Sequence, residues 1–131
     1  MIGLDTNVLL RLWMNDDPAQ NDRIDRLLAE HGTTPASLRV NDVVLVEALW
    51  TLRAAYKQGK AEQLLALRSL LDEPAFCFED REAILQAVDL FEVAACGFSD
   101  CLVVVKNLRA GGQFTATFDR QMLKLAGTRG L

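Results

Sequence analysis

Apolar residues along this chain fall into short runs and helical periods, broken by proline, glycine and isolated acids. Residues 1–4 are apolar and read as a short buried strand, and 8–14 predicts a short helix. Asp16-Asp17-Pro18 is a helix start, because an acid caps free amides and proline supplies the φ of the first turn. Ile24, Leu27 and Leu28 then recur at helical spacing through 18–31, and Gly32 ends the pattern. The segment 33–41 reads as a loop with a strand around 38–40.

Asp42 is positioned to cap a strongly apolar helix over 43–56, with Gly59 near its end. A further helix runs through Leu64, Leu65, Leu67, Leu70 and Leu71 until Pro74, and 75–78 is a strand candidate. Ile84, Ala87, Val88, Phe91, Ala94 and Ala95 give a helix over 81–95, with Gly97 on its C-terminal side. "SDCLVVVKNLRAGG" reads two ways. Residues 102–105 alone fit a strand, whereas Ser99 as a cap, Leu108 in period and the Gly111-Gly112 stop favour a helix. "FTATF" is β-prone, and Met122, Leu123 and Ala126 form a last short helix. Strands alternating with helices predict an α/β fold, a three-layer α/β/α sandwich around a mainly parallel sheet of four to five short strands. Ligands of such sheets collect outside the carboxyl ends of the strands.

A chain of 131 residues fits a single domain over 1–131. The net charge of −4 argues against a generic basic nucleic-acid coat, so a nucleic-acid partner requires local positive charge or a metal. Cys77, Cys96 and Cys101 make no C-x-x-C pair and have no neighbouring histidine, and read as reduced thiols of a cytoplasmic protein. Asp5 interrupts the first apolar run before a signal sequence can form, and no charge-free stretch reaches membrane-spanning length.

Four acids stand out because each is embedded in apolar sequence: Asp5, Glu47, Asp100 and Asp119. Asp5 and Asp119 both follow a short strand and precede a helix, where an N-cap role alone is worth about 0.5–2 kcal/mol. Asp100 lies in the first turn of an apolar helix, a favourable place for negative charge. Glu47, inside "VVLVEALWTL", reads as a buried carboxylate that must be ion-paired, protonated or metal-bound. If the four converge, their repulsion demands a counter-ion. Oxygen ligands without His or Cys select Mg²⁺ or Mn²⁺, which suits phosphoryl chemistry.

The blocks "GLDTNVLLR", "VLVEALWTL", "GFSDCLVV" and "TATFDR" together resemble the PIN-domain ribonucleases, specifically the VapC-like toxins of type II toxin–antitoxin modules. The resemblance spans nearly the whole chain. It implies that Asp5, Glu47, Asp100 and Asp119 are catalytic acids holding Mg²⁺ or Mn²⁺ while water attacks an RNA phosphodiester. Thr6, Asn7 and Thr117 match the polar residues that orient ligands or phosphate. It also implies an RNA substrate, a cognate antitoxin covering the site, and a homodimer. The family commonly ends in a further strand, and "GTRGL" leaves that strand very short or missing.

Other readings fit less well. A receiver domain calls for a paired acid after the first strand and a lysine after a late one, where "FTATFD" offers threonine. A haloacid-dehalogenase-like phosphatase calls for aspartate where Asn7 stands. The remaining alternatives are a housekeeping PIN nuclease and a non-catalytic interaction module whose acids only cap helices. His31 reads as a solvated helix-end residue. Arg53, Lys57 and Lys60, like Lys106 and Arg109, read first as solvated faces, and Trp13 and Trp50 as core or interface anchors.

Overall fold

The computed structural model describes residues 1–131, which group into two compact units, Met1–Glu79 and Asp80–Leu131. In the first, the chain runs β1 (Ile2–Gly3), α1 (Thr6–Met14), α2 (Pro18–His31), β2 (Leu38–Val40), α3 (Asp42–Ala54), α4 (Lys60–Asp72) and β3 (Phe76–Phe78). The strands form a parallel sheet in the order β1-β2-β3, with Leu38 facing Ile2 on one side and Phe76 on the other. Leu9, Leu38, Val40, Leu45 and Ala48 are wholly buried and make the centre of its core.

Local chemistry sets the helix ends. Asp17 accepts a hydrogen bond from the Gln20 amide at 3.1 Å, with Pro18 in the first turn, as the sequence signal requires. The cap of α3 is Asn41 rather than Asp42: its side chain accepts from the Val44 amide at 2.9 Å, and Asp42 becomes the first helical residue. Both types cap well, and the extended backbone of Asn41 decides between them. Asn15 closes α1 in the left-handed region (φ 50°), a conformation asparagine tolerates better than most residues.

The second unit holds α5 (Arg81–Val93), α6 (Phe98–Arg109), β4 (Thr115–Thr117), a short 3₁₀ turn (Met122–Lys124) and β5 (Thr128–Gly130). Helix α5 stops at Val93, because Ala94 is already extended. Gly97 therefore caps the start of α6 instead of closing α5, and Ser99 lies inside the first turn without capping it. The ambiguous stretch is helical. The Phe91 and Phe98 rings meet edge to face, 6.1 Å between centroids, where α5 packs on α6. The last helical signal resolves as 3₁₀, since only a few residues separate the Asp119 turn from the left-handed Gly127 (φ 83°). The terminal strand exists, three residues long and parallel to β4.

The class is thus the expected α/β one, with six helices, five short strands and parallel pairing throughout. Its ladders are a three-stranded and a two-stranded sheet, one per unit. No helix is long and apolar enough to cross a membrane.

Candidate active site

Asp5 stands where β1 hands over to α1. The Leu4 amide still donates to the Arg39 carbonyl at 2.9 Å, so Asp5 is the first residue beyond the strand pairing. Its backbone is extended, and its Oδ1 accepts from the Thr6 amide at 2.8 Å. The side chain remains solvent-exposed. Thr6 is buried behind it and Asn7 is exposed.

Glu47 corrects the expectation of a buried carboxylate: it is exposed. Helix α3 buries Val44, Leu45, Ala48, Leu49 and Leu52 and packs on α1, while Val43, Glu47 and Trp50 share the outer face one turn apart. Val43 and Trp50 are 72% and 67% exposed. The helix looks apolar all round because its solvent face is itself apolar. Trp50 is accordingly not a core anchor.

In the second unit, Asp100 sits in the first turn of α6 and is half-buried. Asp119 follows β4 and precedes the 3₁₀ turn, its Oδ1 accepting from the Gln121 and Met122 amides at 2.8 and 3.2 Å. Thr117 faces inward. Its hydroxyl accepts from the Asp119 amide at 3.0 Å and donates to the Met122 sulfur at 3.6 Å. Thr117 therefore fixes the turn that carries Asp119.

Residues 2–128 match the PIN domain family model. The chain belongs to the PIN-domain family. This PIN domain is also similar to a VapC ribonuclease of Aquifex aeolicus (strain VF5), 26% identical over 122 residues that cover 93% of this chain and 90% of the relative.

Lack of an ion pair in this PIN domain is shared by these acids and by solvated ones such as Asp22, Asp25 and Asp72. Asp16 pairs with Arg11, and Asp80 with Arg109, whereas Asp5, Glu47, Asp100 and Asp119 take no Lys, Arg or His partner. The salt bridge that would have explained Glu47 structurally is not formed. Asp100 and Asp119 act on a common point, the Cys96 thiol. Burial raises its pKa, the Cys101 thiol opposes that by hydrogen bonding, and the two carboxylates add to the rise. Within neither unit do three Asp, Glu, His or Cys side chains cluster as ready-made metal ligands. Asp5 and Glu47 in the first unit, like Asp100 and Asp119 in the second, offer carboxylate oxygens, the hard donors that suit Mg²⁺ or Mn²⁺.

Several cationic candidates are engaged elsewhere. Arg109 donates two hydrogen bonds to Asp80, and the Lys57 ammonium donates to the Ala54 carbonyl. The helical patterning missed one feature, the outward row of "FTATF", in which Phe118 is 81% exposed directly before Asp119. The strand alternation carries the shared face of that row, because Thr115 and Thr117 turn inward and Phe114, Ala116 and Phe118 occupy the other parity.

Proposed function

We propose that this PIN domain is an Mg²⁺- or Mn²⁺-dependent endoribonuclease and the toxin of a toxin–antitoxin pair. The supporting observation is the set of four carboxylates, each in a family block and each without a cationic partner. In this reading Asp5, Glu47, Asp100 and Asp119 hold the ion. Such an ion, when bound, supplies charge neutralisation at the attacked phosphate and acidifies water. Water is then the nucleophile, and no protein nucleophile is needed.

The chain's own residues do the positioning. Asp5 is held by the Thr6 amide at the end of β1, so one carboxylate oxygen is fixed and the other is free to bind. Asn7 orients a phosphate oxygen from the exposed first turn of α1, where helix amides also favour anions. Thr6 supports Asp5 from the buried side. Thr117 acts on Asp119 rather than on substrate.

The VapC name of the relative supports RNA as substrate and a cognate antitoxin as partner. A homodimer in the cytoplasm completes the proposal, and the uncovered Val43 and Trp50 beside Glu47 support protein contact near the site. The test is thermal unfolding of wild type and of Asp100→Asn with and without Mn²⁺. Saturating ion, at about 100 times its Kd, adds roughly 2.7 kcal/mol to a protein that binds it only when folded. We expect that gain in wild type and its reduction in Asp100→Asn. No gain in wild type contradicts the metal assignment. Induced expression separates the toxin from a housekeeping nuclease: growth arrest by wild type but not by Asp5→Asn is the toxin result.

A further inference from the structure

The outer face of the β4–β5 sheet is an aromatic and cationic surface next to a proposed catalytic acid. Arg129 on β5 lies opposite Ala116 on β4, and its guanidinium sits over the Phe114 ring, 4.0 Å from the centroid. Phe114 and Arg129 therefore share this face with the exposed Ala116 between them. The same parity reaches Phe118, which is 81% exposed.

The opposite face is closed. Thr115 is buried and accepts from the Asn107 side chain at 3.0 Å. Thr128 donates to the Met122 and Leu125 carbonyls. The sheet is thus held from behind, and the Thr117–Asp119 hydrogen bonds fix the turn that presents Phe118. An exposed phenylalanine on a rigid turn gives the fold little burial energy.

Charge selects among the possible occupants. From 113 to the end, Arg120, Lys124 and Arg129 stand against the single acid Asp119, in a chain whose net charge is −4. Local positive charge interleaved with aromatic rings fits a polyanion that also presents flat, unpaired bases. We propose that Phe118 stacks an unpaired base of single-stranded RNA, with the Phe114–Arg129 pair extending the platform and supplying backbone charge. This rests on the ribonuclease reading, since it places the base beside the phosphate that Asp119 helps to process.

The experiment measures binding of a fluorescein-labelled single-stranded oligoribonucleotide in EDTA, with cleavage in Mn²⁺ recorded separately. Phe118→Ala should weaken binding by about 5- to 150-fold, the loss of one stacked base, at an unchanged melting temperature. Phe118→Trp should restore binding, and its added tryptophan emission should be quenched by the RNA. Arg129→Ala should flatten the salt dependence by roughly 0.7 in log–log slope. Wild-type affinity in Phe118→Ala overturns the platform, and if wild type still cleaves RNA the nuclease reading survives. Phe118-dependent binding without any cleavage by wild type keeps the platform and removes the nuclease. If Phe118→Ala binds RNA normally but loses a co-expressed protein partner, the face is a protein-binding one and the proposal fails.

Discussion

The Arg109 guanidinium grips the Asp80 carboxylate with two hydrogen bonds, Nε to Oδ2 at 2.9 Å and Nη2 to Oδ1 at 3.2 Å. Asp80 also caps α5 by accepting from the Ala83 amide at 3.2 Å. One carboxylate thereby ties the start of α5 to the last turn of α6. The Ala83 hydrogen bond, with Arg109 beside it, holds its pKa below the usual value of 3.8. A depressed folded pKa means that the contribution is full above the ordinary carboxylate range and is lost as pH falls through the folded value. Asp80→Asn should therefore lower Tm at neutral pH, with the gap to wild type closing below about pH 4. A gap that stays constant with pH contradicts this assignment.

The thiols should differ in reactivity. Burial raises the pKa of Cys96, and its sulfur lies 4.0 Å from that of Cys101, which is fully buried. Cys77 is only half-buried. Since the thiolate is the reactive form, iodoacetamide at pH 8 should label Cys77 first, and the other two only after unfolding. Peptide mass spectrometry over time reads this directly, and early labelling at Cys96 rejects it.

Gly127 is the glycine that the terminal strand needs. Its φ of 83° belongs to the left-handed region, and its carbonyl accepts from the Thr115 amide at 2.8 Å, opening the β4–β5 ladder. An added Cβ would stand 2.9 Å from Leu108 Cδ1, the end of a side chain that can move. The backbone cost dominates, so Gly127→Ala should destabilise by about 1–2 kcal/mol in urea unfolding. No measurable loss contradicts the left-handed assignment.

Asp5 serves as a cap and, in the proposed mechanism, as a ligand, and two substitutions separate these roles. Asparagine caps helices as well as aspartate does, whereas alanine does not. Asp5→Ala should cost about 0.5–2 kcal/mol of stability and Asp5→Asn much less. Both should abolish RNA cleavage. Equal stability of the two variants removes the cap from the explanation.

Much of this architecture was legible because it rests on local chemistry. Asp17-Pro18 announces α2, the run at Leu38–Val40 gives β2, and the left-handed glycine after α6 ends that helix. The misreadings share a physical origin. Asn41 and Asp42 are equally good caps, and only backbone conformation chooses Asn41. Gly97 fits either end of a helix, and the extended Ala94 assigns it to α6. Glu47 looked buried because Val43 and Trp50, which share its exposed face, are themselves apolar. Asp5 and Asp119 were readable at strand ends, since the short apolar runs before them form strands as expected. The exposure of Phe118 is not legible in the sequence, because a phenylalanine at a strand end ordinarily turns inward.

Cleavage of single-stranded RNA in Mn²⁺ by wild type and by Asp5→Asn tests the central proposal most directly, with unfolding curves showing that both are folded. We expect wild type to cut internal phosphodiester bonds only with the ion present, and Asp5→Asn, equally stable, to leave the RNA intact. Cleavage by Asp5→Asn at the wild-type rate, or by wild type in EDTA, would contradict it.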